Sequence, residues 1–119
     1  VVKAVGEGFV EAVEANMEEA PSTEQKVRDV VEPIIAAGAD IIVLGCTHYP
    51  FLRGVIERVI GKRDVRVIDS GEAVEKRVES LLDEYGLRAS QDNVAQKEFI
   101  TYADEKYCQR LRDKALERF

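Results

Sequence analysis

Apolar residues along this chain recur in two alternating rhythms. Val27, Val30, Val31, Ile34 and Ile35 fall three and four positions apart, which predicts an amphipathic helix over residues 23–37, capped by Ser22 or Thr23 and closed by Gly38. Pro33 lies inside that run and removes one helical hydrogen bond, but the stripe continues past it, so the expectation is one bent helix. Residues 40–44 then change the rhythm. Ile41, Ile42, Val43 and Leu44 form an unbroken aliphatic run ended by Gly45, the pattern of a parallel strand buried on both faces. Pro50 suits the first turn of a further helix reaching about Ile60, with Leu52, Val55, Ile56, Val59 and Ile60 as its stripe and Gly61 as its stop. A second strand is expected over residues 65–68. Ser70 would cap a helix over residues 71–84, whose Val74, Val78, Leu81 and Leu82 repeat at helical spacing. Polar residues 88–96 read as a loop, residues 98–102 as a third strand, and residues 104–119 as a last helix with Tyr107, Leu111, Ala115 and Phe119 on one face. Ahead of all these, residues 1–5 suit a strand fragment, and Phe9, Val10 and Val13 lie on one side of a short helix over residues 9–16.

Helix and strand therefore alternate, the signature of α/β architecture with a parallel sheet flanked by helices. The 119 residues are one domain's worth of chain, and a 45% hydrophobic content suffices for a core. The formal charge of −6 opposes the phosphate attraction that nucleic-acid binding requires, so no nucleic-acid partner is expected. The short basic pair Lys62 and Arg63, followed by Asp64, reads as a solvated turn. No apolar stretch approaches a membrane span, and residues 1–20 lack the plan of a secretion signal. The two cysteines, Cys46 and Cys108, are too few for a disulfide framework and lack zinc-site spacing. A reducing, cytoplasmic setting without a metal is the expectation.

Chemistry concentrates at one place. Gly45, Cys46, Thr47, His48, Tyr49 and Pro50 follow the residue 40–44 strand directly, so a thiol, a hydroxyl and an imidazole converge where open parallel sheets bind ligands, outside the carboxyl ends of their strands. From the residues alone, Cys46 also reads as a small core hydrophobe, and His48 as a structural histidine. Glu14, among Glu11, Glu18 and Glu19, equally reads as a solvated helix residue. Cys108, mid-helix among charged residues, reads as a structural thiol.

The string from Leu44 through Cys46, Thr47, His48, Tyr49 and Pro50 to Phe51 and Leu52 resembles the second cysteine motif of the glutamate racemases, within the aspartate/glutamate racemase superfamily. Phe9, Val10, Val13 and Glu14 resemble the family's upstream segment that ends in a glutamate. Val67, Ile68, Asp69, Ser70, Gly71, Glu72, Ala73 and Val74 resemble the strand and helix start that follow the motif, and Phe99, Ile100 and Thr101 resemble the family's last strand. The family's first cysteine motif, Cys-Asn-Thr, and its amino-terminal Asp-Ser-Gly segment ending in a glycine pair are absent here. Asp69, Ser70 and Gly71 are followed by Glu72 and Ala73 instead. The resemblance thus implies the carboxyl-terminal portion of a racemase with an incomplete two-domain fold. In that scheme residues 1–60 belong to the second-cysteine lobe, and residues 61–119 complete the other lobe.

The implied reaction is cofactor-independent inversion of glutamate at its α-carbon. One thiolate removes the α-proton on one face, and a thiol on the other face delivers a proton. Cysteine suits this exchange because its thiol ordinarily titrates near about 8.5. By the same resemblance Cys46 is one of the two acid/base groups, His48 assists it, Glu14 influences His48, and Thr47 binds the substrate carboxylate together with Cys46. The implied role is supply of D-glutamate for peptidoglycan, and the implied partner is the missing amino-terminal half. The chain alone is expected to be inactive, and exposed strand edges favour homo-oligomers or domain swapping. Three other readings stand beside this one: an aspartate-type racemase, a hydrolase with Cys46 as nucleophile and His48 as base, and a binding or assembly module without catalysis.

Overall fold

Two parallel strands, β1 (Ile41–Leu44) and β2 (Arg66–Asp69), organise the chain, with Ile41 opposite Arg66 and Leu44 opposite Asp69. The computed structural model describes residues 1–90, 92–102 and 104–118. Contacts divide the chain into two compact units, Val1–Leu81 and Leu82–Phe119. Both strands fall in the first unit, together with α1 (Phe9–Glu14), α2 (Pro21–Ala36), a 3₁₀ turn (Tyr49–Leu52) and α3 (Arg53–Ile60). Helix α4 (Gly71–Glu84) runs from the first unit into the second, and α5 (Glu105–Arg118) lies in the second. The expected α/β plan, a parallel sheet with flanking helices, is the one observed.

The core lies between one face of the sheet and α1, α2 and α3. Ile42 and Leu44 of β1 meet Val27 and Val31 of α2, Val55, Ile56, Val59 and Ile60 of α3, and Phe9 and Val13 of α1. Leu52, in the 3₁₀ turn, is fully buried, a contribution of about 1.5–3 kcal/mol for a leucine removed from water. The helical stripes read from sequence are those that pack here. Gly6 lies so close beneath the Phe9 ring that a Cβ would stand 2.3 Å from it, and only glycine lets that ring enter the core. Gly61, with φ of 64°, ends α3 as expected.

Helix α2 passes through Pro33 without interruption, but it begins at Pro21, earlier than the expected cap. Thr23 serves differently: it is buried, and its hydroxyl donates to the Met17 carbonyl at 2.6 Å, tying the preceding turn to the helix. Ser70 stands where α4 starts, its carbonyl accepting the Val74 amide, while the side-chain oxygen on the Gly71 amide is that of Asp69, at 2.8 Å.

Three expectations are corrected. Strand β1 is not buried on both faces: Ile42 and Leu44 point into the core, whereas Val43 is 66% exposed and Ile41 and Ile68 are exposed beside it. Within the first unit, α1, α2 and α3 pack on the Ile42 and Leu44 side of β1, so the continuous aliphatic run is half used. Residues 98–102 form no strand, with Ile100 78% exposed, because no neighbouring strand among the described residues offers them a ladder. Residues 1–5 are likewise irregular and exposed. The stripe of α4 is a further surprise in burial: the helix forms as expected, yet Val74 and Val78 remain exposed.

In the second unit, Asp104 Oδ1 accepts the Tyr107 amide at 2.8 Å at the start of α5, and Arg110 stacks over the Tyr107 ring at 5.8 Å. Tyr107, Leu111 and Ala115 are half-buried, while the fourth residue of that predicted face, Phe119, lies outside the described residues. So does residue 91 of the predicted loop.

Arg63 closes the carboxyl end of α3. Its guanidinium donates to the carbonyls of Ile60 (2.7 Å) and Val59, and to Glu32 of α2 at 2.6 and 3.0 Å. The Glu32 carboxyl is held below its ordinary value of 4.5, chiefly by the Arg63 hydrogen bond. A carboxyl depressed in the folded state contributes stability above its unfolded pKa and loses that contribution as pH falls through the folded value. Arg63→Ala is therefore expected to lower the melting temperature at neutral pH, with the deficit shrinking as pH falls below the ordinary carboxylate value of 4.5. Thermal melts from neutral pH to below that value check it; a deficit independent of pH would assign the effect to the two carbonyl bonds alone.

Candidate active site at the carboxyl end of the first strand

Strand β1 ends at Leu44, and the chain turns at once through Gly45 and Cys46 into the 3₁₀ turn and α3. The turn is closed by the Tyr49 amide donating to the Cys46 carbonyl at 3.2 Å and the Phe51 amide donating to the His48 carbonyl at 3.1 Å. A Cβ at Gly45 would meet no atom within 4 Å, so the space over the strand end is open. The Cys46 side chain is half-buried and free of disulfide bonding.

Helix α1 forms one wall. The rings of Phe9 and Tyr49 meet edge to face, with centroids 5.3 Å apart and planes at 69°, an arrangement that favours a fixed ring orientation. At the other end of α1, Glu14 Oε1 lies 3.4 Å from His48 Nε2, while His48 Nδ1 lies 3.4 Å from the Thr47 hydroxyl. The structure thus brings together Glu14, His48 and Thr47 in one line, in the turn that also carries Cys46. A carboxylate on one imidazole nitrogen favours the tautomer that places a proton there and leaves the other nitrogen to face the hydroxyl. That arrangement suits a histidine that holds or passes a proton. Cys108 takes no part; its sulfur lies 3.9 Å from the Phe99 carbonyl in the second unit.

Arg53 was not marked by any sequence pattern. Its guanidinium donates to the Val67 carbonyl at 2.7 Å and to Asp69 Oδ2 at 2.6 Å, partners 14 and 16 residues further along the chain. The signal available beforehand was the sequence similarity around Asp69, which names no partner for it. Among the described residues no cluster of three or more His, Cys, Asp or Glu side chains is placed to hold a metal ion. A cavity of about 510 Å³ runs along β1, bounded by Val30, Val31 and Ile34 of α2, by Val1 and Val2, and by the Phe9 and Tyr49 rings. Neither Cys46 nor His48 lines it.

A thiol-bearing turn at the end of a parallel strand thus stands beside a carboxylate–imidazole pair. Residues 3–78 match the Asp/Glu/Hydantoin racemase family, and the chain belongs to that family. The glutamate racemase of Deinococcus radiodurans is 38% identical over 111 residues, which is 93% of this chain and 38% of that protein. The glutamate racemase of Methylococcus capsulatus is 45% identical over 80 residues, covering 67% of this chain and 29% of the relative. Among solved structures, glutamate racemase isoform RacE1 from Bacillus anthracis superposes with a TM-score of 0.76 at 28% identity, covering 92% of this chain and 41% of that one. The Thermus thermophilus glutamate racemase, solved with β-chloro-D-alanine, gives 0.72 at 30% identity, over 87% and 40%. The chain therefore spans less than half the length of these relatives, and its fold is part of the racemase fold.

The Glu14–His48 contact is directly testable. Glu14→Gln is expected to move the His48 ring resonances in heteronuclear NMR while leaving backbone shifts of α2 unchanged; unmoved ring resonances would mean that the two side chains do not meet in solution.

Proposed function

We propose that this chain supplies the Cys46 side of a cofactor-independent glutamate racemase. The observation that carries this reading is the line Glu14–His48–Thr47 in the turn that bears Cys46, in a chain whose relatives are glutamate racemases. In the proposed cycle the Cys46 thiolate takes the α-proton of one glutamate enantiomer. A thiol on the opposite face, contributed by polypeptide outside this chain, gives its proton to the planar carbanion-like centre. The product has inverted configuration, Cys46 is left as thiol and the second group as thiolate, and the reverse reaction restores both. His48 orients Cys46 and relays its proton, Glu14 holds His48, and Thr47 engages the substrate carboxylate through its hydroxyl and amide.

The open face of the sheet supports the need for a complement. Ile41, Val43 and Ile68 form exposed apolar surface on the side away from the core, and among the described residues β1 pairs with β2 alone, a surface of the kind that other polypeptide covers. The chain alone is accordingly inactive in this reading. The reaction would supply D-glutamate for peptidoglycan in the cytoplasm. An aspartate-type racemase is the nearest alternative, and the Tyr49 and Pro50 continuation favours glutamate. A non-catalytic module is the alternative of another class.

Circular dichroism of each glutamate enantiomer in deuterium oxide tests the reading. No racemisation is expected from the chain alone, and activity is expected once the amino-terminal portion of a related racemase is added. Cys46→Ala should lower the complemented rate by about 10²–10⁴-fold, the usual worth of a positioned acid/base group. Racemisation by the isolated chain, or a complemented rate indifferent to Cys46→Ala, would overturn the proposal.

A further inference from the structure

Arg53 opens α3, one residue beyond the turn that follows Cys46, and its guanidinium reaches across to the carboxyl end of β2. There it engages the Val67 carbonyl and one oxygen of Asp69, while the other Asp69 oxygen accepts the Gly71 amide at 2.8 Å. One carboxylate thereby joins α3, β2 and the start of α4. Arg53 also lies 3.6 Å from Glu57, an ordinary pair one helical turn away.

Asp69 occupies a sensitive position. It stands opposite Leu44 in the ladder, and Cys46 follows Leu44 by two residues. Its side chain is only 22% exposed, so water screens it incompletely. An uncompensated carboxylate about 7 Å from an anion would disfavour it by about 3-fold with full water screening and about 50-fold at an effective dielectric of about 20. A crevice meant for a carboxylate-bearing ligand needs that charge cancelled.

We propose that Arg53 is a positioning residue for the Cys46 crevice: it ties the far end of the Cys46 turn to β2 and cancels the Asp69 charge, so that a carboxylate-bearing ligand is admitted beside the thiol. The inference rests on the reading of the crevice as a site for an amino dicarboxylic acid. Its test does not require racemisation.

The full chain carrying Cys108→Ser, which leaves Cys46 as its one thiol, is alkylated with iodoacetate and, separately, with iodoacetamide. In both reactions the Cys46 thiolate displaces iodide and forms a thioether; the reagents differ in that one bears a carboxylate. Rates are followed by intact mass, and folding of each variant by far-ultraviolet circular dichroism. Arg53→Met is expected to lower the iodoacetate-to-iodoacetamide rate ratio at least about 3-fold. Arg53→Lys, which keeps the charge, should preserve the ratio, and Arg53→Met with Asp69→Asn should restore it. Asp69→Asn alone keeps the guanidinium and should raise the ratio, which provides a reading if Arg53→Met fails to fold. A lower melting temperature with unchanged ratios in the folded variants would make Arg53 a structural brace only and overturn the proposal. Shifted ratios together with a complemented enzyme that does not racemise would uphold the role of Arg53 while removing the racemase reading.

Discussion

The register of β1 on β2 is the constraint on which the remainder depends. With Leu44 opposite Asp69, the two strands end at one level, and the turn that carries Cys46, Thr47 and His48 starts from that line. Parallel strands must be joined by a crossover, and here α3 provides it, packing Val55, Ile56, Val59 and Ile60 onto the face that holds Ile42 and Leu44. The chain leaving β1 therefore has to bend sharply over the strand end to enter the helix. That bend is where Gly45, Cys46, Thr47 and His48 stand. A shift of one residue in the ladder would exchange the inward and outward sets of β1 and remove the core contacts that hold the turn.

The turn is fixed from several sides by different physical means. Burial of Leu52 anchors its end, the Phe9–Tyr49 edge contact sets its side, the Glu14–His48 pair joins it to α1, and Arg53 joins it to β2. Such redundancy holds a half-buried thiol and an imidazole in place without drawing them into the core. The cost of this one-sided construction is the other face of the sheet, where Ile41, Val43 and Ile68 remain in contact with solvent. Under the proposed function, that open face and the open space over Gly45 belong to the same design, in which this chain builds one wall of a two-walled site.

Much of this was legible in the residues, for reasons that differ from element to element. Helices α2, α3 and α4 are legible because their stripes repeat at the helical period, and Gly61 ends α3 as read, whereas Pro50 falls in a 3₁₀ turn ahead of α3, which starts only at Arg53. The Cys46 turn was legible because reactive side chains directly follow an aliphatic run. Burial was harder to read: Ile41 and Val43 carry no mark that distinguishes a strand covered on both faces from one covered on a single face. Residues 98–102 have the composition of a strand, but a strand forms only when a neighbour offers hydrogen bonds, and composition does not supply one. Arg53 escaped notice because its partners are distant in sequence and one of them is a backbone carbonyl. Thr23 was read as a cap from its type and instead bonds backward to Met17 from a buried position.

Native-state hydrogen exchange, resolved by residue with NMR, tests most directly whether the paired strands anchor the site. The ladder amides of β1 and β2 and those of α3 should exchange slowest, through opening of the whole first unit, whereas amides of residues 94–102 should exchange near the unprotected rate. Strand amides that exchange as fast as those of residues 94–102, with α2 and α3 still protected, would contradict the account, because the turn bearing Cys46 would then rest on helices alone.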